Sequence, residues 1–154
     1  MPGHAGVQRL MTDLNRVYRA EPALYQRDFT PDGFEWIETH DAAHSVIVFV
    51  RRPAAGGALL LVACNFTPVP RENYLVGVPE GGFWREILNS DADIYGGAGW
   101  GNLGGVPAAP VPANGRPRSL ALTLPPLSTI VLRHEPAGAA PRANSGAQGA
   151  KVPE

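Results

Sequence analysis

Residues 45–66, SVIVFVRRPAAGGALLLVACNF, hold two apolar runs separated by Pro53 and the turn signal Ala55-Gly56-Gly57. The runs are short, rich in β-branched residues and bounded by breakers, so both read as β-strands. Because each is continuously apolar, with no polar residue at alternate positions, both are expected in the middle of a sheet covered on both faces.

Working outward, the same pattern recurs. FEWIE (34–38), ENYLVGV (72–78), GFWREIL (82–88), RSLALTL (118–124) and STIVLRH (128–134) are further short β-rich runs. They are set apart by Pro31-Asp32-Gly33, by residues 79–82 and by Pro125-Pro126. About seven strands with regular turns indicate a mainly β protein, an antiparallel sandwich or barrel. ENYLVGV and RSLALTL alternate and are expected to be half exposed. Ahead of the strands, residues 5–20 place Val7, Leu10, Met11, Leu14, Val17 and Tyr18 at helical spacings, and Pro22 closes this one amphipathic helix. A lone helix in front of an all-β region reads as the last piece of something larger. The expected division is therefore 1–28 for helix and linker, 29–135 for the β-sandwich, and 136–154 for a disordered tail without aromatics or periodicity.

The chain has 154 residues and 44% hydrophobic residues, enough for one domain with a core. A net charge of −1 and a pI near 6.4 provide no field that would attract nucleic acid or an anionic membrane. The single cysteine, Cys64, lies in an apolar run and reads as a buried, inert thiol. The N-terminus lacks the pattern of a signal peptide, and the expected location is cytoplasmic. Asn65-Phe66-Thr67 matches a glycosylation sequon but is followed by Pro68 and carries no expectation of modification.

The motifs that resemble chemistry are weak. YGGAGWGNLGG (95–105) contains GxGxxG at Gly99, Gly101 and Gly104. A dinucleotide fingerprint needs a helix directly after it, and VPAAPVPANGRP cannot form one. The glycines read instead as a tight surface loop around Trp100, and no cofactor is expected. Glu38, His40, Asp41 and His44 cluster in ETHDAAHS, which reads as a hairpin turn rather than a metal site or a catalytic His-Asp pair. His4 and His134 read as surface residues. Ser45, Ser90, Ser119 and Ser128 have no nucleophile motif around them, and spacing does not pair Glu72, Glu80, Glu86, Asp91 or Asp93 across a cleft. No catalytic residue is assigned. Trp84, Tyr95 and Trp100 form the one suggestive group: exposed rings could stack on sugar faces while Asn89, Asp91 and Asn102 bind hydroxyls. Trp36 and Trp84 also suit the core of a small sandwich, which leaves Trp100 as the ring most expected at the surface.

Several stretches together resemble a known family. They are residues 4–52, residues 62–102 and residues 120–133, with DLN, GFEWI, NFTPVPR, NSD, YGG and LPPLS as the distinctive words. In this order they resemble the C-terminal end of bacterial 1,4-α-glucan (glycogen) branching enzymes of the α-amylase superfamily, over about Pro2 to Arg133. The resemblance implies a parent that cleaves an α-1,4 glucan and transfers the segment to a 6-hydroxyl by a retaining double displacement on a TIM barrel. Such chemistry uses two carboxyl groups about 5 Å apart. In the family these lie in barrel motifs upstream of the matching region, so none is carried over to this chain, and His40-Asp41 is not the family's catalytic pair. Residues 7–19 resemble the barrel's last helix, and Phe34 onward resembles the C-terminal β-sandwich. The expected partners are the catalytic barrel and glycogen, the latter through Trp100, Tyr95 and Trp84. An alternative is a stand-alone glucan-binding or docking module. Separated from a barrel, the helix is expected to expose Leu10, Leu14 and Val17.

Overall fold

The computed structural model describes residues 2–138. The tail expected to be disordered falls, from residue 139 onward, outside the described residues. One helix, α1 (Pro2–Ala20), precedes eight strands: β1 (Phe34–Glu38), β2 (Val46–Arg51), β3 (Leu60–Asn65), β4 (Arg71–Gly77), β5 (Phe83–Asn89), β6 (Gly105–Pro107), β7 (Ser119–Leu124) and β8 (Ser128–Glu135). All pairings are antiparallel. Six strands form one sheet in the order β1-β2-β3-β8-β5-β6, and β4 pairs with β7 in a second, two-stranded sheet. The seven strand segments read from sequence each correspond to a strand. The eighth, β6, has only three residues within the glycine-rich loop, too short and too poor in β-formers to signal itself.

Alternation along each strand sends one set of side chains between the sheets. Val46, Val48 and Val50 of β2, Leu61 and Ala63 of β3, Trp84 of β5 and Ile130 and Leu132 of β8 meet Val76, Leu120, Leu122 and Leu124 from the small sheet. The other set forms a second cluster under α1. Leu60, Val62 and Cys64 of β3, Leu88 of β5 and Val131 of β8 gather with Val17 and Ala23. β3 is accordingly buried at every position, as its continuous run requires. β2 departs from the expectation: Ile47, Phe49 and Arg51 are only half-buried. The helix covers the outer face over β3, β8 and β5 but leaves the β2 side bare.

The helix likewise corrects its expectation. Val17 is buried and Leu10 half-buried, because the stripe Gly6, Leu10, Asp13, Val17 turns onto the sheet. Only Leu14 of the three residues expected to be exposed is so. Polar ties fix the docking: Glu21 accepts from Arg133 Nε at 3.2 Å, and Arg51 Nε donates to the Ala23 carbonyl at 3.2 Å. At the opposite edge Glu35 binds both Arg52 and Arg116. Burial pushes the Glu35 carboxyl up, but the two guanidinium groups outweigh it and hold the pKa below its ordinary value.

Asn65 closes one end of the sandwich. Its buried amide donates to the carbonyls of Val69 (2.8 Å) and Pro125 (3.0 Å), while Oδ1 accepts from Thr67 N (3.0 Å) and Thr67 Oγ1 (2.8 Å). The sequon asparagine thus spends its side chain inside the fold. Replacing Asn65 with Ala strands the buried Pro125 carbonyl and the part-buried partner groups of Val69 and Thr67, and a buried unsatisfied group costs about 1–3 kcal/mol. Asn65→Ala is expected to lower the urea midpoint by an amount equivalent to at least about 2 kcal/mol; an unchanged midpoint would contradict this role.

Candidate functional site

The loop between β5 and β6 carries the residues singled out by sequence. Gly99 (φ +83°) and Gly104 (φ +93°) use the left-handed region that favours glycine. After the loop comes β6 and irregular chain up to β7, with no helix to hold a pyrophosphate. Asp91 organises the turn: its carboxylate accepts from Ala98 N and Trp100 N, each at 3.1 Å, and its carbonyl accepts from Gly99 N at 2.8 Å. Asn89 Nδ2 donates to the Trp100 carbonyl at 2.6 Å, and Asn102 Nδ2 donates to Glu86 (2.7 Å) and to the Thr123 carbonyl (3.0 Å). The three side chains expected to bind sugar hydroxyls are thereby engaged in holding the loop, and Asn102 is buried.

The three candidate rings do not share one surface. Trp84 is completely buried in the inter-sheet core, its Nε1 donating to the Glu80 carbonyl at 3.3 Å, and it has no face free for a sugar. The ring of His134, expected at the surface, packs on it at 5.0 Å between centroids and donates Nε2–H to the Gly81 carbonyl. Tyr95 turns toward α1, where its hydroxyl donates to Asp13 at 2.6 Å. The helix approaches so closely there that a Cβ on Gly6 would overlap the Tyr95 carbonyl. Trp100 is 38% exposed and lines a groove of about 620 Å³ with Glu72, Glu86, Asn89, Asp93 and Thr123. The groove draws Glu72, Glu86 and Asp93 together from β4, β5 and the loop, a grouping that spacing does not reveal. Trp36, which suited the core by sequence, is 53% exposed. It lies edge-on to Phe34 and Phe49 on the uncovered part of the outer face.

ETHDAAHS is the turn between β1 and β2. Glu38 Oε1 accepts from His40 N (2.6 Å) and Asp41 N (3.1 Å), while Asp41 accepts from His44 Nδ1 (2.7 Å) and from the Tyr74 hydroxyl (2.6 Å). The Tyr74 hydrogen bond is the main reason the Asp41 carboxyl is held below its usual range. Among the described residues, no three His, Cys, Asp or Glu side chains converge as metal ligands. Nor is any helix among them long and apolar enough to cross a membrane.

A second feature was legible only in part, as an apolar helix face around Leu10 and Leu14 suited to docking. Rows of paired residues run across the outer face, and the central one reads Trp36, Phe49, Val62, Val131, Leu88 from β1 to β5. Beside it α1 shows a second stripe, Val7, Met11, Leu14 and Tyr18, that is exposed. Between helix and sheet lies an apolar groove of about 590 Å³ lined by Leu10, Leu14, Tyr18, Leu24, Val62 and Val131, among others. The sheet residues taken alone look like ordinary core, and the docked position of the helix decides which of its stripes is left open.

The architecture, one sheet of six strands closed by a pair, with a polar-lined groove beside Trp100, is that of a β-domain. Residues 36–135 match the family described as the all-β C-terminal domain of α-amylase, and the chain belongs to that family. Within it the chain is similar to 1,4-α-glucan branching enzymes. That of Albidiferax ferrireducens is 60% identical over 136 residues, covering 88% of this chain and 22% of the enzyme. That of Aquifex aeolicus is 59% identical over 134 residues, 87% of this chain and 21% of the enzyme. The chain thus spans about a fifth of the length of these relatives.

Burial first, and then the hydrogen bond to Asp13, push the Tyr95 hydroxyl up to about 12. Between the ordinary tyrosine value near 10 and 12, the unfolded chain gives up this proton while the folded one keeps it. Stability is therefore present below pH 10 and is lost as pH rises through that window. Tyr74 is raised as well, by burial and then by Asp41, so it adds to the same slope. Tyr95→Phe is expected to reduce, without abolishing, the fall in denaturant midpoint between pH 9 and 11.5; an unaltered slope would sink the Tyr95–Asp13 tie.

Proposed function

We propose that this chain is the C-terminal β-domain, with its preceding helix, of a 1,4-α-glucan branching enzyme, and that its part in branching is to brace the catalytic portion rather than to carry out bond exchange. The observation that carries the reading is the doubly apolar helix. One stripe of α1 seals the sheet, and the next, Val7, Met11, Leu14 and Tyr18, faces outward without serving this domain's own core. A surface of that kind is characteristic of an interface. The similarity of close to 60% to enzymes about five times as long supplies the missing partner's nature. The soluble interior of the bacterial cell, where glycogen would be met, is the location that accompanies this reading.

A second role is compatible with the first and is favoured by Trp100. Its partly open ring stands at the wall of a groove rich in carboxylate and amide groups, an arrangement suited to a polyhydroxylated chain with apolar ring faces. Tyr95 supports the groove indirectly by pinning the loop to α1, and the buried Trp84 contributes through the core.

Incubated with amylose, the 154-residue chain is expected to form no α-1,6 linkages, and their appearance would overturn the assignment of the chemistry to the rest of the enzyme. For the groove, Trp100→Ala is expected to weaken co-sedimentation with glycogen by about fivefold, given the worth of one aromatic contact. Equal pelleting of both forms would remove Trp100 from any glucan site. Trp84→Ala is unsuitable for this purpose, since emptying that core position costs about 3–5 kcal/mol of folding stability.

A further inference from the structure

A second apolar depression lies at the Asn65 end of the sandwich, away from the helix stripe. It measures about 200 Å³ and is lined by Asn65, Phe66, Ser90, Leu127, Ser128 and Thr129. Ser90 and Thr129 also line the groove under α1, so the two depressions share a wall. That wall is polar but self-satisfied: Thr129 N donates to Ser90 Oγ at 2.9 Å, Ser90 N to the Thr129 carbonyl at 3.0 Å, and Thr129 Oγ1 to Cys64 Sγ at 3.3 Å. It therefore asks nothing of a partner beyond contact.

Phe66 is 60% exposed and Leu127 68% exposed, so neither contributes much to this domain's own packing. Leu127 is also held at φ +48°, a left-handed conformation in which a leucine is strained and a glycine is not. Its backbone is pinned there by Leu127 N donating to the Thr67 carbonyl at 2.8 Å, and Ser128 Oγ donates to Pro125 O at 2.8 Å beside it. The turn alone would be better served by glycine. The leucine side chain projects out of the turn and is available for an outward contact.

We infer that Phe66 and Leu127 form a second anchor for the rest of a branching enzyme, separate from the helix stripe, so that the partner grips the domain at two apolar points across the Ser90–Thr129 saddle. The inference rests on the reading proposed above. The occupant is the four fifths of such an enzyme that this chain does not span. Two anchors set apart fix an orientation, whereas a single helix stripe would leave the domain free to swivel.

The test is a chimera of the Albidiferax ferrireducens branching enzyme in which the matching 136 residues are replaced by those of this chain. The unsubstituted chimera is expected to branch amylose. Phe66→Ser with Leu127→Gly is expected to shorten the half-life of thermal inactivation of the chimera by about tenfold. In the free 154-residue chain the same pair is expected to leave the melting temperature unchanged or raised, since Leu127→Gly relieves strain. A chimera that expresses but does not branch overturns the proposed function and this inference with it. An active chimera whose half-life is indifferent to the pair overturns the two-anchor inference alone. So does a pair that lowers the melting temperature of the free chain as much as it destabilises the chimera, because the residues would then serve the domain's own fold.

Discussion

The fold hangs on β3, which among the described strands is the one buried at every position. A strand whose two faces are both apolar cannot stay at a solvated surface, and it demands a layer on each side. The pair β4–β7 supplies one layer, through Val76, Leu120, Leu122 and Leu124. The other layer is α1, whose Val17 stripe seats over Leu60 and Val62. The helix is thus a structural requirement of the sheet and not an appendage. The polar ties from Tyr95 to Asp13, midway along the helix, and from Arg133 to Glu21, just past its C-terminus, hold it in register over the sheet.

Covering β3 leaves a remainder. The sheet is six strands wide and one helix is about 10 Å across, so Ile47, Phe49 and Trp36 on the β1–β2 side stay at least partly open. The helix brings a further apolar stripe of its own, and the Phe66–Leu127 end adds another open patch. A monomer stable in isolation would blunt such surfaces with charge. Here charge borders the open surfaces, in the Arg51–Asp28 and Arg133–Glu21 pairs and at Arg16 of the helix, without covering them.

The strands and the helix were legible because their apolar periods are strong and their breakers are Pro and Gly. Short runs such as 34–38 and 128–134 could be read because turn signals stand on both sides. β6 was not legible, since three residues within a glycine-rich loop carry no period. The site was read less well, for a physical reason: whether an aromatic ring is open depends on what the strand's neighbours cover. Trp84 and Trp36 sit on similar β-runs, but Trp84 points between the sheets and Trp36 away from them, beyond the reach of the helix. Asn89, Asp91 and Asn102 have the right chemistry for hydroxyls, but a tight loop has orphan amides and carbonyls of its own, and those claim the side chains first. The exposed stripe of α1 was visible as periodicity, yet which of two adjacent stripes would be sealed depended on the docked orientation.

In the reading proposed above, this domain is covered by the catalytic part of a branching enzyme. The most direct measurement is the native mass of the assembly that contains this sequence in its source cells, by size exclusion with an antibody against the β-domain. The account predicts that the sequence is found in a polypeptide or complex several times heavier than 16.3 kDa and that this fraction branches amylose. A free monomer of 16.3 kDa, with branching activity eluting elsewhere, would contradict it.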